Sequence, residues 1–281
     1  MKKLAFLFVL LSTLALSATN KEIEDYKTTV FKSHKQASIK SVKVISREPM
    51  DGFAGWEAVV ITIEVALDKG NGKKQLIKFS DTVFVNGDII ADDIANPKKQ
   101  KSAKESYKPT PDASYYDNEH LVAGNKNAKN KVLVFSDPLC PFCRDMVPDI
   151  IAAGVKNPSK LAVYHYSFPL LSIHPSSEHI VKAEISQRAN IKNKAEFLTK
   201  LYGTEVAPNE TDETKVAAKL SAELGLKIQK SDMDKKDVQK EYDEEQQRAF
   251  RLLVRGTPTI FINGELDQTK TKIQQLLKEM K

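Results

Sequence analysis

The sequence predicts an α+β protein in two parts: a small N-terminal antiparallel sheet with one helix, then, beyond a linker, a C-terminal α/β domain carrying a helical insertion. Three observations predict it. Between Glu57 and Leu67, the residues Val59, Ile61, Ile63, Val65 and Leu67 alternate, the period of a strand packed on one face. Lys131 to Phe135 is apolar without alternation, as for a strand covered on both faces. From about 176 to 253 the spacing of apolar residues is helical.

The chain of 281 residues begins with Met-Lys-Lys, an apolar run from Leu4 to Leu16, then Ser17 and Ala18. This is the pattern of a signal peptide over residues 1–18, cleaved after Ser17 or Ala18. The run is shorter than the ~20 apolar residues a membrane helix needs. The mature protein is therefore expected outside the cytoplasm, where thiols meet oxidants. Of the formal net charge of +6, Lys2 and Lys3 account for two, leaving a mildly basic mature chain. The six arginines and dispersed lysines form no basic motif with interleaved aromatics, so no nucleic-acid partner is expected.

Residues 20–33 read as a helix, followed by extended chain with the strand at 57–67. Lys69-Gly70-Asn71-Gly72-Lys73 turns the chain into a second strand, Leu76 to Val85, and Asn86-Gly87 turns it again before Ile89 and Ile90. A unit this small, over residues 19–95, has little core of its own, and small domains often gain stability by associating. Trp56 is expected to pack on this sheet. Residues 96–115, with Asn96-Pro97, five lysines and Pro109-Thr110-Pro111, read as a solvated linker with a helical stretch before the prolines.

Residues 116–281 form the second domain. The strand at 131–135 runs through Ser136-Asp137-Pro138-Leu139 into Cys140, after which Phe142, Met146, Ile150 and Ile151 recur at helical spacing. Leu161 to Phe168 is a further strand, joined by a right-handed crossover and so parallel to the first. Asn209, Asp212 and Ser231 are candidate helix caps in the insertion at 176–253, and Asp232 to Gln247 reads as a solvated helix. Thr257 to Ile262 is a strand, Asn263-Gly264 a hairpin turn, and Thr269 to Met280 a closing helix.

The two cysteines, Cys140 and Cys143, meet where strand hands over to helix. A disulfide closing so small a loop removes little chain entropy and makes a poor staple. A zinc site needs about four ligands, and neither a second cysteine pair nor a histidine pair is present. His34, His120, His165 and His179 have no ligand spacing, and His174, in a loop beside a proline, reads as structural. Inert buried thiols remain an alternative, against which the helix start argues: its free amides and dipole stabilise a thiolate. Cys140 is then nucleophile and leaving group, and Cys143, one turn on, resolves the mixed disulfide. Arg144 favours the anion; Asp137 and Asp145 oppose it.

The run Phe135-Ser136-Asp137-Pro138-Leu139-Cys140-Pro141-Phe142-Cys143 resembles the active-site approach of thioredoxin-fold thiol oxidoreductases, specifically the periplasmic DsbC and DsbG disulfide isomerases. Pro148 resembles the helix-kinking proline of that fold, and Arg255-Gly256-Thr257-Pro258-Thr259 its cis-proline loop. The resemblance covers the whole chain and implies a homodimeric periplasmic disulfide isomerase of misfolded exported proteins, reset by a membrane redox partner. It needs no cofactor beyond a redox-active Cys140–Cys143 disulfide. Thr257 and Pro258 are then substrate-binding residues, and Pro141 and Phe142 tune the site. Two departures matter. Val134 stands six residues before Cys140, where thioredoxin and DsbA carry a buried acid, and Phe168-Pro169-Leu170-Leu171-Ser172-Ile173-His174-Pro175 looks more like DsbA. A dithiol oxidase is thus the alternative, and a thiol-independent holdase chaperone a third reading.

Overall fold

The computed structural model describes residues 17–32, 37–68, 74–98 and 101–280. Nearly all of the expected leader and the turn at 69–73 lie outside the described residues. Helix α1 (Asn20–Lys32) is followed by four antiparallel strands, β1 (Ala37–Pro49), β2 (Glu57–Asp68), β3 (Lys74–Asn86) and β4 (Ile89–Ala91), in the order β1-β2-β3-β4. Val59, Ile61, Ile63 and Val65 of β2 form a core with Ile23 of α1 and with Val83 and Val85 of β3. Their even-numbered neighbours Ala58, Val60 and Thr62 are buried as well. This sheet is therefore covered on both faces, against the one-sided packing its alternation implies, because the helix at Lys236–Arg251 lies against β1, β2 and β3. Strand β1 escapes a simple periodicity reading because register shifts at Ile39/Ser41 and Val44/Ser46 break its alternation. Trp56 packs with Ala58, Phe84 and Ala103.

Between the two sheets lie a short hairpin, β5 (Ala95–Asn96) and β6 (Lys101–Ser102), and helix α2 (Ala103–Ser106). A capping box between Ser102 and Glu105 starts α2. Tyr107 donates its hydroxyl to Glu48 at 3.0 Å. Tyr115 is buried against Phe135 and Tyr166 and donates to the Arg248 carbonyl at 3.0 Å. Both ends of this segment are thus held by packing.

The second sheet has the order β11-β10-β8-β9-β7, built from β7 (Leu121–Ala123), β8 (Asn130–Ser136), β9 (Leu161–Ser167), β10 (Thr259–Ile262) and β11 (Glu265–Leu266). Strands β8 and β9 are parallel, Ser136 opposite Ser167, and are joined by α3 (Pro141–Lys156), which contains Pro148; the other pairs are antiparallel. Gly124 (φ +81°) lets β7 approach β9, since a Cβ there would sit 1.8 Å from the Leu161 carbonyl oxygen. Asn263 and Gly264, both at positive φ, make the β10–β11 turn.

Five helices fill the span between β9 and β10: α4 (Ser177–Gln187), α5 (Lys194–Tyr202), α6 (Glu213–Leu224), α7 (Lys230–Met233) and α8 (Lys236–Arg251). Helix α9 (Thr271–Lys278) follows the second sheet. Asp212 caps α6, accepting from the Thr214 and Lys215 amides. Asn209 and Ser231 are not caps: Gln229 is the N-cap of α7, which places Ser231 inside the helix, and Asn193 caps α5. Helix α8 is not simply solvated. Its Glu245 is buried, pairs with Arg188 at 2.5 Å and accepts the Ser167 amide at 2.7 Å.

Candidate active site

Strand β8 ends at Ser136, and the next four residues turn the chain into α3 with Cys140 as its N-cap, in extended conformation (φ −69°, ψ 121°). Pro141 occupies the first helical turn, where a missing amide costs nothing. The turn is closed by the Cys140 amide donating to Asp137 O at 3.1 Å and by the Cys143 and Arg144 amides donating to Cys140 O, each at 3.0 Å. Cys140 is 5% exposed and Cys143 fully buried, both as free thiols. Phe142 between them is 71% exposed. An incoming disulfide therefore meets Phe142 and Cys140 first.

The loop before β10 faces this turn. Cys140 Sγ lies 3.4 Å from Thr257 O, the Thr257–Pro258 peptide bond is cis, and Pro258 is buried. Thr257 Oγ1 is buried with no hydrogen-bond partner at ordinary geometry, yet it is near enough to both sulfurs to weigh on their ionisation. The geometry thus brings Cys140, Cys143, Thr257 and Pro258 together, with Pro141 and Phe142 at the rim.

The two thiols are driven apart in acidity. The hydrogen bond from the Cys143 thiol is the largest cause lowering the Cys140 pKa; burial opposes it, and the Thr257 hydroxyl and the Cys143 and Phe142 amides add to it, bringing the thiol down to about 5. Burial, then the hydrogen bond to Cys140, push Cys143 far above the ordinary thiol range. At neutral pH the pair is one thiolate and one thiol.

Asp137, expected to oppose the anion, is fully buried and engaged elsewhere. Its Oδ1 accepts from the Leu139 amide (2.8 Å) and Ser177 Oγ (2.6 Å), and its Oδ2 from the Leu170 amide (2.8 Å) and His174 Nδ1 (2.9 Å). It ties the cysteine turn to the loop between β9 and α4, and His174 has the structural role its loop setting implied. Arg144 likewise directs its guanidinium at two carbonyls, Pro138 at 2.8 Å and Thr204 at 2.6 Å.

Some neighbours had no local signal in the sequence. Tyr202 of α5 is buried beside Ser136 and His165; their polar side-chain atoms are mutually hydrogen-bonded, His165 Nε2 lying 2.9 Å from each hydroxyl. His165 stands opposite Val134 in the β8–β9 register, and burial lowers its pKa to about 3, so the ring is neutral. Lys270, preceding α9, is half-buried, which lowers its pKa, and it feels the field of Cys143. Only the fold brings α5 and the α9 approach to the cysteines.

Residues 117–280 match the family described as Thioredoxin. The chain is 24% identical over 222 residues to "Probable disulfide bond formation protein D" of Bacillus cereus, covering 72% of this chain and 95% of that one. Among solved structures, a thioredoxin-like oxidoreductase from Silicibacter pomeroyi is 22% identical, covering 60% of this chain and 96% of that one, with a TM-score of 0.46. Oxidised BdbD from Bacillus subtilis is 16% identical, covering 62% and 96%, with a TM-score of 0.46.

Proposed function

The chain belongs to the thioredoxin family, and from that premise we propose that it is a periplasmic thiol–disulfide oxidoreductase of exported polypeptides, working mainly as a dithiol oxidase. The observation that carries this reading is the split between a Cys140 thiol lowered to about 5 and a Cys143 thiol held protonated. A stabilised thiolate favours the reduced form of the pair, and a pair that favours its reduced form is an oxidant. The Bacillus cereus relative, whose name refers to disulfide bond formation, supports the same direction.

In this direction a substrate thiolate attacks Cys140 of the Cys140–Cys143 disulfide. A bond forms between the substrate sulfur and Cys140 Sγ, the Cys140–Cys143 bond breaks, and Cys143 leaves and takes a proton. A second substrate thiolate then attacks the first substrate sulfur and releases Cys140 as thiolate. The substrate loses two electrons and the cysteine pair gains them. Thr257 and Pro258 hold the substrate backbone beside the sulfur, Pro141 fixes the helix start, and the exposed Phe142 offers apolar contact. A membrane redox partner would reoxidise the pair, and the leader at 1–18 supports export.

A second reading, disulfide isomerase, draws on the N-terminal sheet. That unit lies outside the residues matching the family and is where dimerisation through residues 19–95 is proposed. Trapping the thiols in living cells by rapid acid quench and alkylation separates the two. An oxidase is found mostly as disulfide and an isomerase mostly as dithiol.

A further inference from the structure

A groove of about 730 Å³ runs between the N-terminal sheet and the helical insertion. One wall is six consecutive residues of β3, Leu76 to Asp81; the other is the start of the loop after β9 and one face of α8. Because successive side chains of a strand point to opposite faces, an uninterrupted run of six brings the strand's backbone to the groove as well as its side chains. Strand β4 pairs only with Phe84–Asn86, so the outer edge of β3 from Lys74 to Val83 has no strand partner among the described residues. An unpaired edge with free amides and carbonyls is a template for another extended chain.

The chemistry of the walls narrows the occupant. Phe168, Leu170, Tyr242 and Phe250 give an apolar floor. The charged lining comprises Glu64, Asp81, Glu178 and Asp243 against Lys78 and Arg255. Asp81 is bridged by Lys104 at 2.8 Å and lies 3.7 Å from Arg255, and Glu178 is bridged by Lys182 at 2.7 Å. Glu64 stands opposite Lys78 in the β2–β3 register, so the four carboxylates are matched by Lys78, Arg255, Lys104 and Lys182 and the groove carries no charge preference.

The groove is continuous with the cysteine site at two points. Arg255 lines it two residues before Thr257, whose carbonyl touches Cys140 Sγ. Leu170 lines it and donates its amide to Asp137, three residues before Cys140. A segment lying extended in the groove is thereby directed toward Cys140.

We propose that this groove binds an extended, apolar segment of the substrate polypeptide by strand addition to β3, selecting which cysteine reaches Cys140. The proposal rests on the thiol–disulfide reading above and adds where the substrate chain lies and what it carries. The probe is a fluorescent ten-residue peptide, apolar at its centre, with one cysteine held as a mixed disulfide with glutathione. Binding is read by anisotropy with full mature Cys140→Ser protein, which removes the exchange step. Exchange is read as glutathione released by reduced wild-type protein.

The expected result is saturable binding, weakened about tenfold by Leu76→Lys, a change at a position 58% exposed that disturbs no core. Affinity unmoved by this substitution overturns the proposal. So does a Leu76→Lys variant that binds peptide normally but changes from dimer to monomer in sedimentation, which makes the groove an interface between copies. Normal binding with no glutathione released by wild type leaves the groove standing and contradicts the thiol reading instead.

Discussion

Cys140 Sγ and the Thr257 carbonyl oxygen lie 3.4 Å apart, although 117 residues separate them in the chain. One lies in the turn that follows β8 and the other in the loop that precedes β10, neighbouring strands of the second sheet. The whole helical insertion is inserted between them without disturbing that pairing, so the site depends on sheet register and not on sequence proximity.

The acidity of Cys140 sets its reaction profile. A thiolate is the nucleophile, so alkylation of reduced protein by iodoacetamide is expected to be nearly level above pH 6 and to fall about tenfold per pH unit well below the midpoint near 5. Cys143→Ala removes the main hydrogen bond to Cys140 and should move the midpoint upward. The pH dependence of the alkylation rate, followed by mass spectrometry, tests both statements.

Asp137 holds the cysteine turn in place. Asp137→Ala leaves four donors without their acceptor, among them two backbone amides, and should destabilise the protein by about 3–5 kcal/mol. Asp137→Asn retains part of the acceptor capacity and should cost less. Urea unfolding of the reduced protein gives both values.

How much of this was legible beforehand follows from the range of each interaction. Cys140, its helix start and the β8 strand are local features, readable from an apolar run, a turn and a helical period. The helix of residues 20–32 and strands β2 and β3 were readable for the same reason, whereas β1 was hidden by its bulges. The pairing of Thr257 with Cys140 came from family resemblance, since no local rule links residues so distant. Tyr202 and the buried state of Glu245 depend on how the insertion helices pack, and Lys270 on how the α9 approach docks, and nothing in their own neighbourhoods signals it.

Glu245 makes stability depend on pH. Its carboxyl, buried beside Arg188 and His120, is held down to about 2; burial opposes this, and the Arg188 charge and the His120 hydrogen bond outweigh it. A group whose folded pKa is depressed stabilises the protein above its unfolded value, near 4.5, and loses that contribution as pH falls toward 2. Glu245→Gln should therefore lower stability at pH 6 and flatten the acid limb of the profile between about pH 4.5 and 2. Glu241, raised to about 7 mainly by burial, contributes in the opposite sense at higher pH. Thermal melts of both proteins across that range measure the difference.

Gly124 is a packing requirement of the second sheet. Its positive φ and the 1.8 Å approach of the Leu161 carbonyl to a Cβ leave no room for alanine. Gly124→Ala is expected to destabilise by more than about 2 kcal/mol, through backbone strain and a displaced β7–β9 pairing. The midpoint of urea unfolding relative to wild type checks this.

The most direct test of the central claim is a trap of the mixed disulfide. Mature Cys143→Ala protein, with Cys140 activated as a mixed disulfide with a small thiol, is mixed with a reduced, unfolded secreted protein, and the products are separated without reductant. The account predicts a covalent adduct joined through Cys140 that cannot be resolved from within the chain, and its absence in Cys140→Ser. No adduct through Cys140, under conditions where the small-molecule mixed disulfide is intact, would contradict it.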